Sequence, residues 1–136
     1  MLRISIILTF IILFSLTALS NAQYEPAPKV KEMVFCTALE DRQPVGADSI
    51  FTDTVDVVYC FTKMVGAEDT TAIFHVWYYN EEEKARVELA VKSKSWRTWS
   101  SKQILRDWDG IWRVDILSST GKMLRSKEFL VKPTTD

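Results

Sequence analysis

The chain has 136 residues, with 17 basic and 18 acidic side chains, 12% aromatic residues including five Trp, and only four Gly and four Pro. This composition excludes a disordered or low-complexity chain. The near balance of charge also excludes a domain that binds nucleic acid over its whole surface, because such domains are strongly basic.

The first 22 residues have the pattern of an export signal. Arg3 precedes an apolar stretch at residues 4–19, and Ser20 and Ala22 supply the small side chains that signal peptidase requires. As a helix this stretch would span about 24 Å, which is shorter than the roughly 30 Å hydrocarbon core of a bilayer. We therefore predict a signal peptide at 1–22 and no permanent membrane span after its cleavage; retention as an anchor is the alternative.

The remainder is predicted to contain one domain, at residues 33–132. An extended lead-in precedes it at 23–32, where two prolines stiffen the chain, and a short tail follows at 133–136. Seven short apolar runs separated by turn residues make up the domain. They span residues 33–39, 55–65, 71–79, 85–91, 96–104, 111–117 and 123–131. Short runs at this spacing predict an all-β fold.

The alternation of side chains supports strands rather than helices. In the run 85–91, Val87, Leu89 and Val91 interleave with mostly polar residues, whereas on a helix they would scatter around the axis. Seven antiparallel strands with Trp77 in the third most resemble an immunoglobulin-like sandwich. A small closed β-barrel is the alternative, since periodicity does not distinguish a closed sheet from two stacked sheets.

Two cysteines lie in the first two predicted strands. If Phe35 points inward in one strand, and Tyr59 and Phe61 point inward in the next, Cys36 and Cys60 both point outward on the same side of the sheet. In an exported protein this arrangement predicts a cross-strand disulfide between Cys36 and Cys60. Two reduced, partly buried thiols are the alternative.

Residues 92–106 carry the strongest signal for binding. This window has five basic residues and two Trp but no acidic residue. Tryptophan and arginine side by side suit cation–π contacts and sugar stacking, and Arg97 can grip a carboxylate or phosphate. The candidate binding residues are Lys94, Trp96, Arg97, Trp99 and Lys102. Because Trp96 and Trp99 should lie on opposite faces of a strand, one of them filling the core is the alternative.

His75 and Trp77 are secondary binding candidates. His75 is the only histidine and lies in a strand rich in aromatic residues, where we expect a packed or hydrogen-bonded structural role.

No catalytic motif is recognisable. The stretch Ser100-Ser101-Lys102 does not match Ser-x-x-Lys, and no Gly-x-Ser-x-Gly motif occurs. The carboxylates are dispersed, and the residues around Asp109 lack the rest of a calcium loop. We therefore predict no catalytic residues, no metal site and no cofactor.

Several short motifs resemble one family. They are Cys-Thr at 36–37, His-Val-Trp-Tyr at 75–78, Trp-Arg-Thr-Trp-Ser-Ser-Lys at 96–102, Gly-Ile-Trp-Arg-Val at 110–114 and Gly-Lys-Met-Leu at 121–124. From about residue 35 to 131 the chain resembles the uncharacterised bacterial family catalogued as domain of unknown function 2914. The resemblance implies an extracytoplasmic bacterial β domain, and it brings no established activity or cofactor.

These observations predict a non-catalytic, exported β-sandwich that acts as an interaction or ligand-binding module in the bacterial cell envelope, in the periplasm or outside the cell. Its expected partner is an envelope protein or glycan, and not nucleic acid. An envelope hydrolase and a structural subunit of an envelope assembly are the alternatives. A cleft joining His75 to two carboxylates would favour the hydrolase, and an exposed patch with Arg97 and Trp99 would favour binding.

Overall fold

The computed structural model describes residues 27–134, and its regular structure is entirely β. The strands are β1 (Lys29–Cys36), β2 (Ala38–Glu40), β3 (Gln43–Val45), β4 (Ile50–Thr52), β5 (Val57–Val65), β6 (Thr71–Tyr79), β7 (Glu82–Val91), β8 (Ser95–Gln103), β9 (Gly110–Ser118) and β10 (Met123–Lys132). The predicted signal peptide lies outside the described residues. Because β1 begins at Lys29, the end of the predicted lead-in belongs to the first strand.

Two sheets contain the long strands of the described chain. Sheet I has the strand order β1-β5-β8, and sheet II has the order β4-β10-β9-β6-β7. Neighbouring strands are antiparallel, except that β4 runs parallel to β10. Within residues 27–134 neither sheet closes on itself. The predicted all-β sandwich is therefore confirmed, and the closed-barrel alternative is not.

The seven long strands correspond to the seven predicted apolar runs. The first, second and fifth of them form sheet I, and the other four lie in sheet II. In a constant-type immunoglobulin domain the fourth strand pairs with the fifth, whereas here β7 pairs with β6. The short strands β2, β3 and β4 were not predicted. Strands β2 and β3 form a separate hairpin.

Apolar side chains from both sheets fill the space between them. Phe129 from sheet II packs against Phe35 of sheet I, and Trp77 and Trp112 pack against Phe129. Each of these rings is almost wholly buried. The rings of Trp112 and Phe129 stack with their centroids 5.9 Å apart. Burying a side chain of this size stabilises a fold by a few kcal/mol, so these aromatics dominate the core.

Alternation along β7 and β9 follows the predicted pattern. In β7, Leu89 and Val91 point toward the core, while Arg86 and Glu88 point to solvent. The helical alternative for the run 85–91 is thus wrong, as we expected.

Among residues 27–134, the structure contains no helix with the length and hydrophobicity needed to span a bilayer.

The predicted disulfide between Cys36 and Cys60 is wrong, because both thiols are free and buried. The register places Cys60 opposite Phe35 and Cys36 opposite Tyr59. Directly opposed residues share a face, so the two thiols point to opposite sides of sheet I. Cys60 faces the core, which is the reverse of the predicted orientation of β5.

We expect both thiols to be unreactive in the native protein. Burial raises the pKa of Cys36 and of Cys60, so the nucleophilic thiolate is scarce at neutral pH. Alkylation of the folded protein should be at least about tenfold slower than alkylation of the denatured protein. Intact mass should be the same with and without reductant, and a gain in mass on reduction would contradict the free-thiol state.

Candidate functional site

A polar network crosses the core between the two sheets. His75 and Trp77 on β6 point toward β5 and β8, where they meet Thr62 and Ser100. The Nδ1 atom of His75 lies 2.6 Å from Ser100 Oγ, and its Nε2 atom lies 3.4 Å from Thr62 Oγ1. Trp77 Nε1 donates to the same Ser100 Oγ at 3.0 Å. These side chains join the sheets through hydrogen bonds as well as apolar packing.

The donors and acceptors of this network are consistent with one arrangement of protons. Thr62 donates its hydroxyl proton to the backbone oxygen of Thr98 at 3.0 Å, so it accepts from His75 Nε2–H. Ser100 accepts from Trp77 and donates to His75 Nδ1. In a neutral ring, His75 therefore carries its proton on Nε2 and accepts at Nδ1. Burial lowers its pKa to about 4, which agrees with the neutral form.

The close contact of Ser100 with His75 does not make a catalytic pair. Both side chains are buried, and the hydrogen bonds of His75 go to hydroxyl groups rather than to a carboxylate. The buried carboxylate of Asp115 lies on the outer face of sheet II, where it accepts hydrogen bonds from Arg113 and Ser126. Within residues 27–134, no cleft joins His75 to two carboxylates, which is the arrangement that would have favoured a hydrolase.

The outer face of sheet I carries a different group of residues. Strand β8 pairs with β5 without a register shift, so Trp96 shares the core-facing row with Ser100, while Arg97 and Trp99 point outward. Arg97 lies opposite Lys63, and Trp99 lies opposite Phe61. The prediction that the two Trp residues occupy opposite faces is therefore confirmed. Both are partly buried.

The hairpin formed by β2 and β3 brings Arg42 to this face. Its two-residue turn has φ of 48° at Asp41 and 61° at Arg42, the left-handed values of a type I′ turn. Arg42 donates from Nη2 to the backbone oxygen of Arg97 at 3.1 Å. Its guanidinium carbon lies 5.5 Å from the ring centroid of Trp96 and 5.9 Å from that of Trp99. Arg42 thus contacts both indoles. Strand β8 is the edge strand of sheet I, so the ring of Trp96 reaches Arg42 at the sheet edge although its residue belongs to the core-facing row.

Gln43, the next residue, orients Arg97. When its amide is assigned so that oxygen faces the guanidinium, Gln43 accepts from Arg97 Nη2 at 3.1 Å and from Nη1 at 3.2 Å. The amide holds the guanidinium in place, and because it is neutral it leaves the charge uncompensated.

A surface pocket of about 440 Å³ opens beside these side chains. Its lining residues are Arg42, Lys63, Ser93, Ser95, Trp96 and Arg97. We call it the cationic pocket. Within the described part of the chain, none of the ion pairs includes Arg42, Lys63 or Arg97. The pocket therefore concentrates positive charge beside an indole ring, an arrangement suited to an anionic ligand.

The structure brings some predicted site residues together and separates others. Trp96 and Arg97 line the cationic pocket, and Trp99 lies next to them under Arg42. Lys102 belongs to the core-facing row and reaches Trp108, whose ring centroid is 5.2 Å from Lys102 Nζ. Lys102, although a predicted binding residue, therefore does not share the outer face with Arg97 and Trp99. Lys94 is exposed in the connection before β8.

His75 and Trp77, the secondary binding candidates, are wholly buried. Their side chains form part of the polar network and do not line the cationic pocket.

Three residues of the outer face were missed at the level of sequence. Arg42 and Gln43 lie in a hairpin of two three-residue strands, which is too short for a periodic signal, and its turn lacks Asn-Gly or Asp-Gly. Lys63 lies in a run that is apolar at nearly every position, so its face was not defined. The only available signal was Asp41, since aspartate tolerates the left-handed conformation.

The fold and the site define a class: a small all-β sandwich with a buried inter-sheet polar network and a cationic pocket on one outer face. Residues 70–131 match the family described as protein of unknown function (DUF2914). The match covers β6 to β10 and confirms the predicted resemblance there. Residues 35–69, which include Arg42 and Lys63, lie outside it. No match was found among curated proteins.

Proposed function

We propose that this protein is a non-catalytic, exported β-sandwich that binds a partner or ligand in the bacterial cell envelope. Binding takes place at the tryptophan–arginine surface, which consists of Arg42, Trp96, Arg97 and Trp99. The observation that carries this proposal is that two arginines have neutral groups as their contacts. A ring face and a backbone oxygen hold Arg42, an amide holds Arg97, and neither charge is compensated by an ion pair within the described residues.

A charged side chain that already has fixed contacts suits recognition, because less conformational entropy is lost when it binds. A free arginine side chain loses about 2 kcal/mol of rotamer entropy when it becomes fixed, and a side chain already held in place loses less. Tryptophan and arginine are also the residues most often found at the energetic centre of protein interfaces. The surface thus combines two cations with two indoles in one place.

The burial of Ser100 and His75 favours a binding role over the hydrolase alternative. The closest approach of a hydroxyl to the histidine is inside the core, where a substrate has no access. Export and location in the envelope rest on the signal pattern at residues 1–22 and on the family resemblance.

The proposal predicts that Arg97→Ala weakens binding to an envelope partner while leaving the fold intact. We expect the loss of affinity to be about tenfold, and to be largest at low salt because screening weakens an exposed charge. The free energy of unfolding should change by about 0.5 kcal/mol or less, since Arg97 is partly exposed and its fixed partner is a neutral amide. The measurements are retention of solubilised envelope proteins and of isolated envelope glycans by the purified protein, and chemical denaturation.

Lys102→Ala is the matched control, because it removes the same charge from the same strand on the opposite face. It should leave binding unchanged. Equal losses in the two variants would point to a nonspecific charge effect, and full binding by Arg97→Ala would refute the proposed surface.

A further inference from the structure

Two hairpin turns of this protein have similar, positive φ angles but different surroundings. Asp41 and Arg42 have positive φ in the turn between β2 and β3, as do Asn80 and Glu81 in the turn between β6 and β7. The second residue of each turn is a charged residue in a conformation that side chains usually avoid. Glu81 forms an ion pair with Arg113. Arg42 forms no ion pair within residues 27–134.

Arg113 provides a direct comparison with Arg42. The guanidinium of Arg113 also lies over an aromatic ring, with its carbon 4.3 Å from the centroid of Tyr78. It pairs with Glu81 and Asp115, and the hydrogen bond to Glu81 raises its pKa. An arginine on the outer face of sheet II thus receives two carboxylates, whereas the arginines on the outer face of sheet I receive none within the described residues.

The pairing of strands adds to this excess of positive charge. Lys63 and Arg97 are directly opposite each other on β5 and β8. Like charges at directly opposed positions destabilise a sheet. Together with Arg42 they give the cationic pocket three positive charges with no acidic residue among its lining residues. The cationic pocket thus combines a strained turn residue, Arg42, with an unfavourable pair of like charges, Lys63 and Arg97. Such features are expected where a bound ligand supplies the compensating negative charge.

We propose that the cationic pocket binds the phosphate group of a soluble phosphate compound or of a lipid head group. This inference rests on the proposed binding function and names the chemistry of its ligand. Guanidinium groups match the spacing of phosphate oxygens, and Lys63 adds a further donor. Trp96 supplies an apolar wall for the organic part of the ligand.

The number of charges favours phosphate over carboxylate. A phosphate monoester carries up to two negative charges at neutral pH, whereas a carboxylate carries one. Three lining cations are therefore better compensated by phosphate. The pocket volume of about 440 Å³ is also much larger than a single carboxylate requires.

Arg42→Gly is the most informative variant because it removes the cation and relieves the strained turn at once. Glycine adopts positive φ without steric cost, so the hairpin should be retained and the melting temperature should fall by no more than a few degrees. Binding of inorganic phosphate, followed by the indole Nε1–H resonance of Trp96 at constant ionic strength, should weaken at least about tenfold. Lys63→Ala should weaken it in the same direction.

Arg125→Ala is the matched control, since it removes one exposed positive charge from β10 in the other sheet. It should leave the affinity for phosphate unchanged. Acetate at the same ionic strength should bind more weakly than phosphate, and equal binding of acetate would overturn the assignment to phosphate.

Vesicles distinguish the two sources of phosphate. Phosphatidylcholine vesicles with and without phosphatidic acid, whose head group is a phosphate monoester, are compared, and binding that requires phosphatidic acid and is lost in Arg42→Gly assigns the site to a lipid head group. Vesicle binding that Arg42→Gly leaves intact would overturn a head-group site. If the folded wild-type protein binds neither phosphate nor these vesicles, the inference is wrong. The proposed function then stands only if Arg97-dependent capture of an envelope partner persists.

Discussion

Replacing Trp77 by alanine should lower the free energy of unfolding by about 4 kcal/mol, the largest effect we expect for one substitution. Its indole is wholly buried, packs edge-on against Phe129 with the centroids 6.1 Å apart, and donates from Nε1 to Ser100 at 3.0 Å. Alanine would leave a large cavity between the two sheets and would remove one donor from the polar network. Chemical denaturation monitored by circular dichroism measures the loss.

Two further variants show whether packing or the hydrogen bond dominates. Trp77→Phe keeps most of the buried ring and removes only the donor to Ser100, so it should cost less than the alanine variant. Trp96→Ala should also cost less, because Trp96 is only partly buried. A loss below about 1 kcal/mol for Trp77→Ala would contradict its central place in the core.

Acidification should destabilise the fold through His75. Burial lowers the pKa of His75 in the folded protein to about 4, whereas an unfolded chain has a histidine pKa of about 6.5. Below pH 6.5 the unfolded chain therefore takes up a proton that the folded protein excludes. The contribution of His75 to stability is complete above about pH 6.5 and is lost as pH falls toward 4, by about 3 kcal/mol in all.

His75→Gln isolates this effect from the titration of carboxylates, which also contributes to acid unfolding. Glutamine does not titrate, and the hydroxyl partners Thr62 and Ser100 do not titrate in this range. The difference in unfolding free energy between wild type and His75→Gln should therefore vary with pH between 6.5 and 4. A difference that is constant over this interval would show that His75 is protonated equally in both states.

The sequence predicted the seven long strands closely because alternation is a local property. In β9, Trp112 and Val114 face the core, while Arg113 and Asp115 face outward, and a pattern of period two has no other simple explanation. For the same reason, the opposite faces of Trp96 and Trp99 were predictable from their spacing alone. A strand without a bulge preserves that parity.

The orientation of β5 was not predictable, and the predicted disulfide was wrong as a result. Its residues are apolar at nearly every position, because the strand is covered on both faces. Phe61 points outward in the same row as Trp99, yet it is only 1% exposed. A periodic argument needs one solvated face, and this segment has none.

The candidate site was only partly predictable. Trp96 and Arg97 were found because they are adjacent in a basic window without acidic residues. Arg42 and Lys63 are 55 and 34 residues before Arg97 along the chain, and no local pattern relates them to it. Their proximity follows from a two-residue hairpin turn and from the register of β5 with β8.

The sequence by itself determined the fold class, the long strands and the face on which each residue of a regularly alternating strand lies. These depend on side-chain periodicity, which a single segment contains in full. Only the tertiary structure decided which face of β5 is inward and that Cys36 and Cys60 lie on opposite sides of sheet I. It also decided that Arg42, Lys63 and Arg97 line one pocket. Those features depend on strand pairing between distant segments, and pairing is chosen by the free energy of the whole core rather than by local preference.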